Sequence, residues 1–214
     1  MLFRSLANLW KWAEAESEFR RAIELNPNNA AAHYFFAFTC LNAQGRFEQA
    51  LAEFQTALAL DPLSSIVNTN DAVVLMNLRR YPEALAQFQK VIERDPSFYP
   101  AHFKLSTLYA TMGKYPEAVR EMRKSFNTPP SFSVSDDSSG YLKLASTAEG
   151  TDRLSVMGVA AALAGDRNSA FGYLDESFAQ GNSNLMQVIR YPAVDSLRSD
   201  PRYADLLHRI GLPK

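Results

Sequence analysis

One stretch recurs along this chain and limits what it can fold into. Phe47 to Pro62 reads FEQALAEFQTALALDP. Phe47, Ala50, Leu51, Phe54, Ala57 and Leu58 fall at the spacing of one helix face, and Asp61-Pro62 stops the helix. Thirty-four residues later the pattern returns as Tyr81, Ala84, Leu85, Phe88, Val91, Ile92 and Asp95-Pro96. Another thirty-four on, it reads Tyr115, Ala118, Val119, Met122, Ser125 and Phe126, with Pro130 in the proline place. Thirty-five residues before the first stretch stand Trp12, Ala15, Phe19, Ala22, Ile23 and Asn26-Pro27. Copies in one phase define an array of helical units, each burying its apolar face on its neighbours.

Each copy also has an upstream half. In the second copy the matching places are Tyr34, Ala37-Phe38, Leu41, Gly45, Ala50, Phe54, Ala57 and Pro62. In the third they are Asn68, Asp71-Ala72, Leu75, Arg79, Ala84, Phe88, Val91 and Pro96. In the fourth they are His102, Leu105-Ser106, Tyr109, Gly113, Ala118, Met122, Ser125 and Pro130. This series resembles the tetratricopeptide repeat, with its large residue, Leu-Gly, Tyr, Ala, Phe and Pro over about 34 residues. The third copy departs from it, lacking the opening aromatic and the turn glycine. The resemblance covers Leu6 to Pro130. It implies an all-α fold: a right-handed superhelical solenoid of antiparallel helix pairs that binds proteins.

Composition narrows the function classes. The chain has 214 residues, 47% hydrophobic and 21% charged, with a formal net charge of −1. That balance gives no global attraction to nucleic acid or to an anionic membrane. No run reaches the roughly 18 apolar residues of a membrane span. Cys40 has no second cysteine to pair with and reads as a small buried hydrophobe. MLFRSLANLWKW does not read as a signal peptide, so a cytoplasmic protein is expected.

Three regions follow along the chain. Residues 1–130 hold four repeats, the first of them truncated. Leu2, Phe3, Leu6, Leu9 and Trp10 have no preceding unit to cover them. They are expected either to pack on an upstream segment or to drive self-association. From Asn28 to Pro130 six helices are expected, turning at Gly45-Arg46, Arg79-Arg80 and Gly113-Lys114. Glycine suits the left-handed residue past a helix end, so Arg79 calls for another turn. Residues 131–150 form an insertion. Its first part, rich in Ser, Pro and Asp, reads as a flexible loop, and YLKLASTAEG as a short helix. Residues 151–214 hold a divergent fifth repeat, Leu154–Ala164 then Ala170, Phe171, Leu174 and Phe178, and a cap. Asp200-Pro201, the Tyr203, Leu206, Leu207 and Ile210 face, and Gly211 outline that capping helix. AGDRNSAFGYLDESFAQGN through LRSDPRYADLLHRIGLP, most distinctively SLRSDPRYADLL, also resembles the tail of bacterial repeat proteins that follow winged-helix regulators, Ser/Thr kinases or cyclase-like modules. It implies an alternative role as the regulatory part of a larger signalling protein.

Candidate chemistry is sparse. His33, His102 and His208 lack metal spacing, the glycines are isolated, and no GxSxG occurs. No enzyme activity, metal or cofactor is expected. What remains is the inner face. Carried over from the family, its lining residues are Phe35, Phe36, Thr39 and Asn42 in the second repeat. The third gives Ile66, Asn70, Val73, Met76 and Asn77, and the fourth Phe103, Lys104 and Thr107. Phe35, Met76 and Phe103 would anchor apolar side chains, and Asn70 and Asn77 would hydrogen-bond a peptide backbone. Lys104 would favour an acidic or carboxylate-bearing segment. The expected function is a non-catalytic module binding a protein or peptide in this groove.

Overall fold

A computed structural model describes residues 11–129, 131–150 and 153–213. The apolar residues from Leu2 to Trp10 lie outside it. Every regular element is helical among the described residues. α1 (Trp12–Leu25) is the second helix of a leading unit. Three antiparallel pairs follow. α2 starts as an ordinary helix over Ala30–Phe35 and continues as a π-helix over Phe36–Leu41; α3 is Phe47–Leu60. α4 (Ser65–Asn77) pairs with α5 (Tyr81–Arg94), and α6 (Tyr99–Thr111) with α7 (Tyr115–Ser125). These are the six helices expected between Asn28 and Pro130. α8 (Ser138–Ala145) comes from the insertion, and α9 (Arg153–Leu163) with α10 (Arg167–Ala179) forms the divergent pair. The tail holds α11 (Leu185–Val188), a 3₁₀ turn over Pro192–Leu197, and α12 (Pro201–Arg209).

Small residues set the pair geometry. Ala50, Ala84, Ala118 and Ala170 on the second helices are fully buried, and the small residues Ala37, Ala72, Ser106 and Gly158 on the first helices of the same pairs are buried too. A Cβ on Gly158 would lie 2.8 Å from Leu174 Cδ2, so the α9–α10 crossing has no room for one. Each pair turns in the same way. The amides of Arg46, Arg80 and Lys114 each donate 2.9 Å back to the carbonyls of Leu41, Leu75 and Tyr109. That closure needs a left-handed residue, supplied by Gly45 and Gly113 and, contrary to the sequence expectation, by Arg79 at φ 64°. The guanidinium of Arg79 grips both carboxylate oxygens of Asp195, at 2.8 and 2.6 Å.

The insertion is tied to its neighbours by hydrogen bonds. Arg123 Nη2 donates 2.7 Å to the Phe132 carbonyl, and Lys143 Nζ 3.2 Å to that of Ser133. Asp137 caps α8 by accepting 3.0 Å from the Gly140 amide. Gly140 must be glycine, because a Cβ would lie 1.7 Å from the Ser135 carbonyl oxygen. Through α8, Tyr141, Leu144 and Ala145 enter a second apolar cluster with α7 and α9.

The tail does more than cap. Asp200 accepts 3.0 Å from the Arg202 amide, and α12 buries Tyr203, Leu206 and Leu207. Yet residues 185–197 share the main core with α1 to α6. Trp12 Nε1 donates 2.8 Å to the Ile210 carbonyl, which joins α1 to α12.

Candidate functional site: the inner face and its open cleft

The π-helix alters the register of the first inner helix. Pro27 and Pro62 are thirty-five residues apart, whereas Pro62 and Pro96 are thirty-four apart. The Asn42 amide donates 2.9 Å to the Ala37 carbonyl, five residues back, and this wider turn absorbs the extra residue. Polar contacts confirm the shift. His33 Nε2 faces the Pro27 carbonyl at 2.9 Å and its Nδ1 faces Glu53 at 2.5 Å. His102 repeats this with Pro96 at 3.0 Å and Glu121 at 2.5 Å. Between them, Asn68 Nδ2 donates 3.2 Å to Pro62 and Asn68 Oδ1 accepts 2.9 Å from Gln87. Thus His33, not Tyr34, is the counterpart of Asn68 and His102. The two histidines are packing residues that tie a first helix to its own second helix.

The slip of one residue turns a side chain by about 100° around a helix. Phe36 therefore leaves the inner face. Its ring centroid lies 5.7 Å from that of Phe19 on α1, where it packs between units. This corrects the assignment of Phe36 to the groove, and the single long spacing in the sequence was the signal for it.

The tail fills the middle of the groove. Asn42 Nδ2 donates 2.6 Å to Gln187 Oε1, and Asn77 Nδ2 donates 2.9 Å to Asn42 Oδ1. Gln187 Nε2 donates 2.9 Å to the Phe38 carbonyl inside the π-helix. Arg190 Nε donates 2.9 Å to the Ala43 carbonyl and Nη2 2.8 Å to that of Pro213. These carbonyls close off a buried guanidinium that has no carboxylate partner among the described residues; burial pulls its pKa down. Of the expected lining residues, Thr39, Asn42, Asn70, Val73, Met76, Asn77 and Thr107 are buried. Asn70 Nδ2 is taken up by Tyr34 Oη at 3.3 Å and the Ile66 carbonyl at 3.0 Å. Thr107 Oγ1 donates 3.2 Å to the Phe103 carbonyl. Nothing in the sequence motif announced that Gln187 and Arg190 would be the groove's own occupants.

Part of the face stays open. Phe35 is half-buried and Ile66 is 40% exposed. Beyond the tail, Phe103 and Lys104 line a cleft of about 430 Å³ with Tyr99, Pro100, Ser125, Phe126, Ala148, Glu149, Val156 and Asn184. Phe103 and Phe126 form its apolar floor, their centroids 6.1 Å apart. Lys104 Nζ donates 2.8 Å to Tyr191 Oη and lies 5.2 and 5.3 Å from the Phe103 and Tyr191 rings. No carboxylate pairs with it among the described residues. Glu149 is the one acid lining the cleft among the described residues. Among the described residues there is no group of side chains that could hold a metal ion, and no helix long and apolar enough to cross a membrane.

Stacked helix pairs crossing at small residues, with a face of first helices turned inward, define an α-helical repeat solenoid. The tetratricopeptide repeat model matches residues 1–65, 37–97 and 69–130, and the chain belongs to that family. As a family, such proteins are protein-interaction modules. Among solved structures, the chain resembles PilW, a widely conserved type IV pilus biogenesis factor, with a TM-score of 0.54 and 20% identity. That match covers 88% of this chain and 96% of the other. The Pseudomonas aeruginosa PilF structure gives the same TM-score and identity, over 87% and 94% of the two chains. At this identity the likeness concerns the fold. The Drosophila melanogaster protein O-mannosyl-transferase Tmtc2 is 40% identical over 57 residues, 27% of this chain but only 6% of that protein.

Proposed function

We propose that this chain is a non-catalytic interaction module that takes a partner's peptide segment at the open end of its inner face, around Phe103 and Lys104. The cleft carries this reading. It has an apolar floor, a volume of about 430 Å³ and a lysine with no carboxylate paired to it among the described residues. That volume lies within the usual range of roughly 300–1,000 Å³ for ligand sites. An apolar side chain would sit against Phe103 and Phe126, and a carboxylate would approach Lys104.

Magnitudes argue against a peptide running along the whole groove. It would have to lift out Leu185, Val188, Ile189, Val194 and Leu197, all with no exposed surface. At about 1.5–3 kcal/mol each, re-exposing them costs on the order of 10 kcal/mol. That rivals the whole stability of a typical domain, about 5–15 kcal/mol. Binding is therefore confined to what the tail leaves open.

The test is affinity capture with the described chain and variants. Phe103→Ala with Lys104→Ala should lose the captured partner while helicity and Tm hold. Asn70→Ala, whose side chain is already engaged inside the fold, should retain it if folded, as should Glu48→Ala on α3. An unaltered captured set from the Phe103/Lys104 double variant would remove the cleft as the site.

A further inference from the structure

The register fixed by His33, Asn68 and His102 also fixes the place three residues on. Phe36, Asp71 and Leu105 hold that place in α2, α4 and α6. Phe36 and Leu105 are buried and apolar there. Asp71 is equally buried, 6% exposed, yet its Oδ1 has no hydrogen-bond partner. No ion pair satisfies it among the described residues. An aspartate in an apolar joint between helix pairs, with an orphan oxygen, breaks the rule that buried polar groups are partnered.

We propose that Asp71 makes the α3–α4–α5 joint acid-tightened: the joint packs best with this carboxyl protonated and is loosened by its ionisation. The charges around it allow this. Arg80, at the turn into α5, is the one cation among the described residues whose field reaches Asp71 appreciably. Arg80 is already gripped by Glu83 at 2.7 and 2.6 Å, and Glu48 of α3 also acts on it. Its field thus favours an ionised Asp71 only weakly. Burial outweighs it and lifts the carboxyl from the ordinary 3.8 to about 6. A carboxyl raised in the folded state works with the fold below its ordinary pKa. The benefit is lost as pH climbs through about 6. The joint is therefore at its weakest near neutral pH, next to the Tyr34–Asn70 bridge between α2 and α4.

Thermal melts of the full chain and of Asp71→Asn and Asp71→Leu test this at about pH 5 and about pH 8. Asp137 and Asp200, held down at about 2 by hydrogen bonds, stay ionised at both values. Asp71→Asn should raise the Tm by roughly 5–10 °C near pH 8, with the gap falling to about half of that near pH 5. Asp71→Leu, which restores the apolar place, should show the same dependence. A gap that does not change with pH, or variants less stable near pH 8, overturns the proposal. If both variants fail to fold, carbon-detected resonance titration of Asp71 in the unaltered chain decides it. A midpoint near 6 supports the proposal and one near 4 ends it.

Discussion

The middle of the inner face and its open end are built from the same elements, first helices in successive pairs, yet one is shut and the other is not. In the middle, Asn42, Met76 and Asn77 are buried, and Asn42 is hydrogen-bonded both to Gln187 of the tail and to Asn77. At the open end, Phe103 and Lys104 face a cleft that the tail borders with Asn184 and Tyr191 without filling it. Repeat position alone says that a residue faces inward. Whether it meets a partner or its own chain is decided by a segment roughly eighty to a hundred and fifty residues away in sequence.

Substitutions should separate the two regions, beginning with the largest effect. Ile189→Asp buries an unpaired charge in the shut region and should abolish cooperative folding, seen as loss of the helical circular-dichroism transition. Ile189→Ala leaves a cavity instead and should cost about 2–5 kcal/mol in chemical denaturation. Gln187→Ala strands Asn42 Nδ2 and the Phe38 carbonyl and should cost about 1–3 kcal/mol. Ala84→Leu, at a crossing both regions depend on, should overpack it by about 1–3 kcal/mol. At the open end the order reverses. Phe103→Ala should change stability less than Ile189→Ala does, yet weaken partner binding by about 2 kcal/mol, roughly thirtyfold. Arg79→Gly relieves a left-handed non-glycine residue but gives up Asp195. Its net effect should stay within about 1 kcal/mol. A large loss there would show that the tail is held by that exposed pair rather than by its apolar residues.

Much of the fold was legible in the sequence. The stripe from Phe47 to Leu58 and its copies placed α3, α5 and α7, because local periodicity reports which face is buried. Asp200-Pro201 placed α12 by the chemistry of a helix start. The inner face was legible only as a direction. Phe36 was misassigned because a π-turn looks like any other helical residue apart from one long repeat spacing. The burial of Asn77 and Met76 could not be read at all. LMQVIRYPAVDSL carries no helical or strand period, and its contacts with Phe38, Asn42 and Ala43 span nearly 150 residues. Arg79 shows the opposite failure: glycine's preference at a turn is real, but a tertiary ion pair and a strong backbone closure hold an arginine there.

The Trp12–Ile210 hydrogen bond bears on how the molecule comes apart. A linear array of repeats has nearest-neighbour contacts only, so it frays from its outer units and loses them one at a time. Here α1 is held by α12, and the tail binds α2, the α4–α5 turn, α6 and α9 at once. Neither outer unit can melt without loosening the other. Unfolding should then occur as a single event, with amide exchange in α1 as slow as in the central pairs, unlike the piecemeal behaviour of an open array.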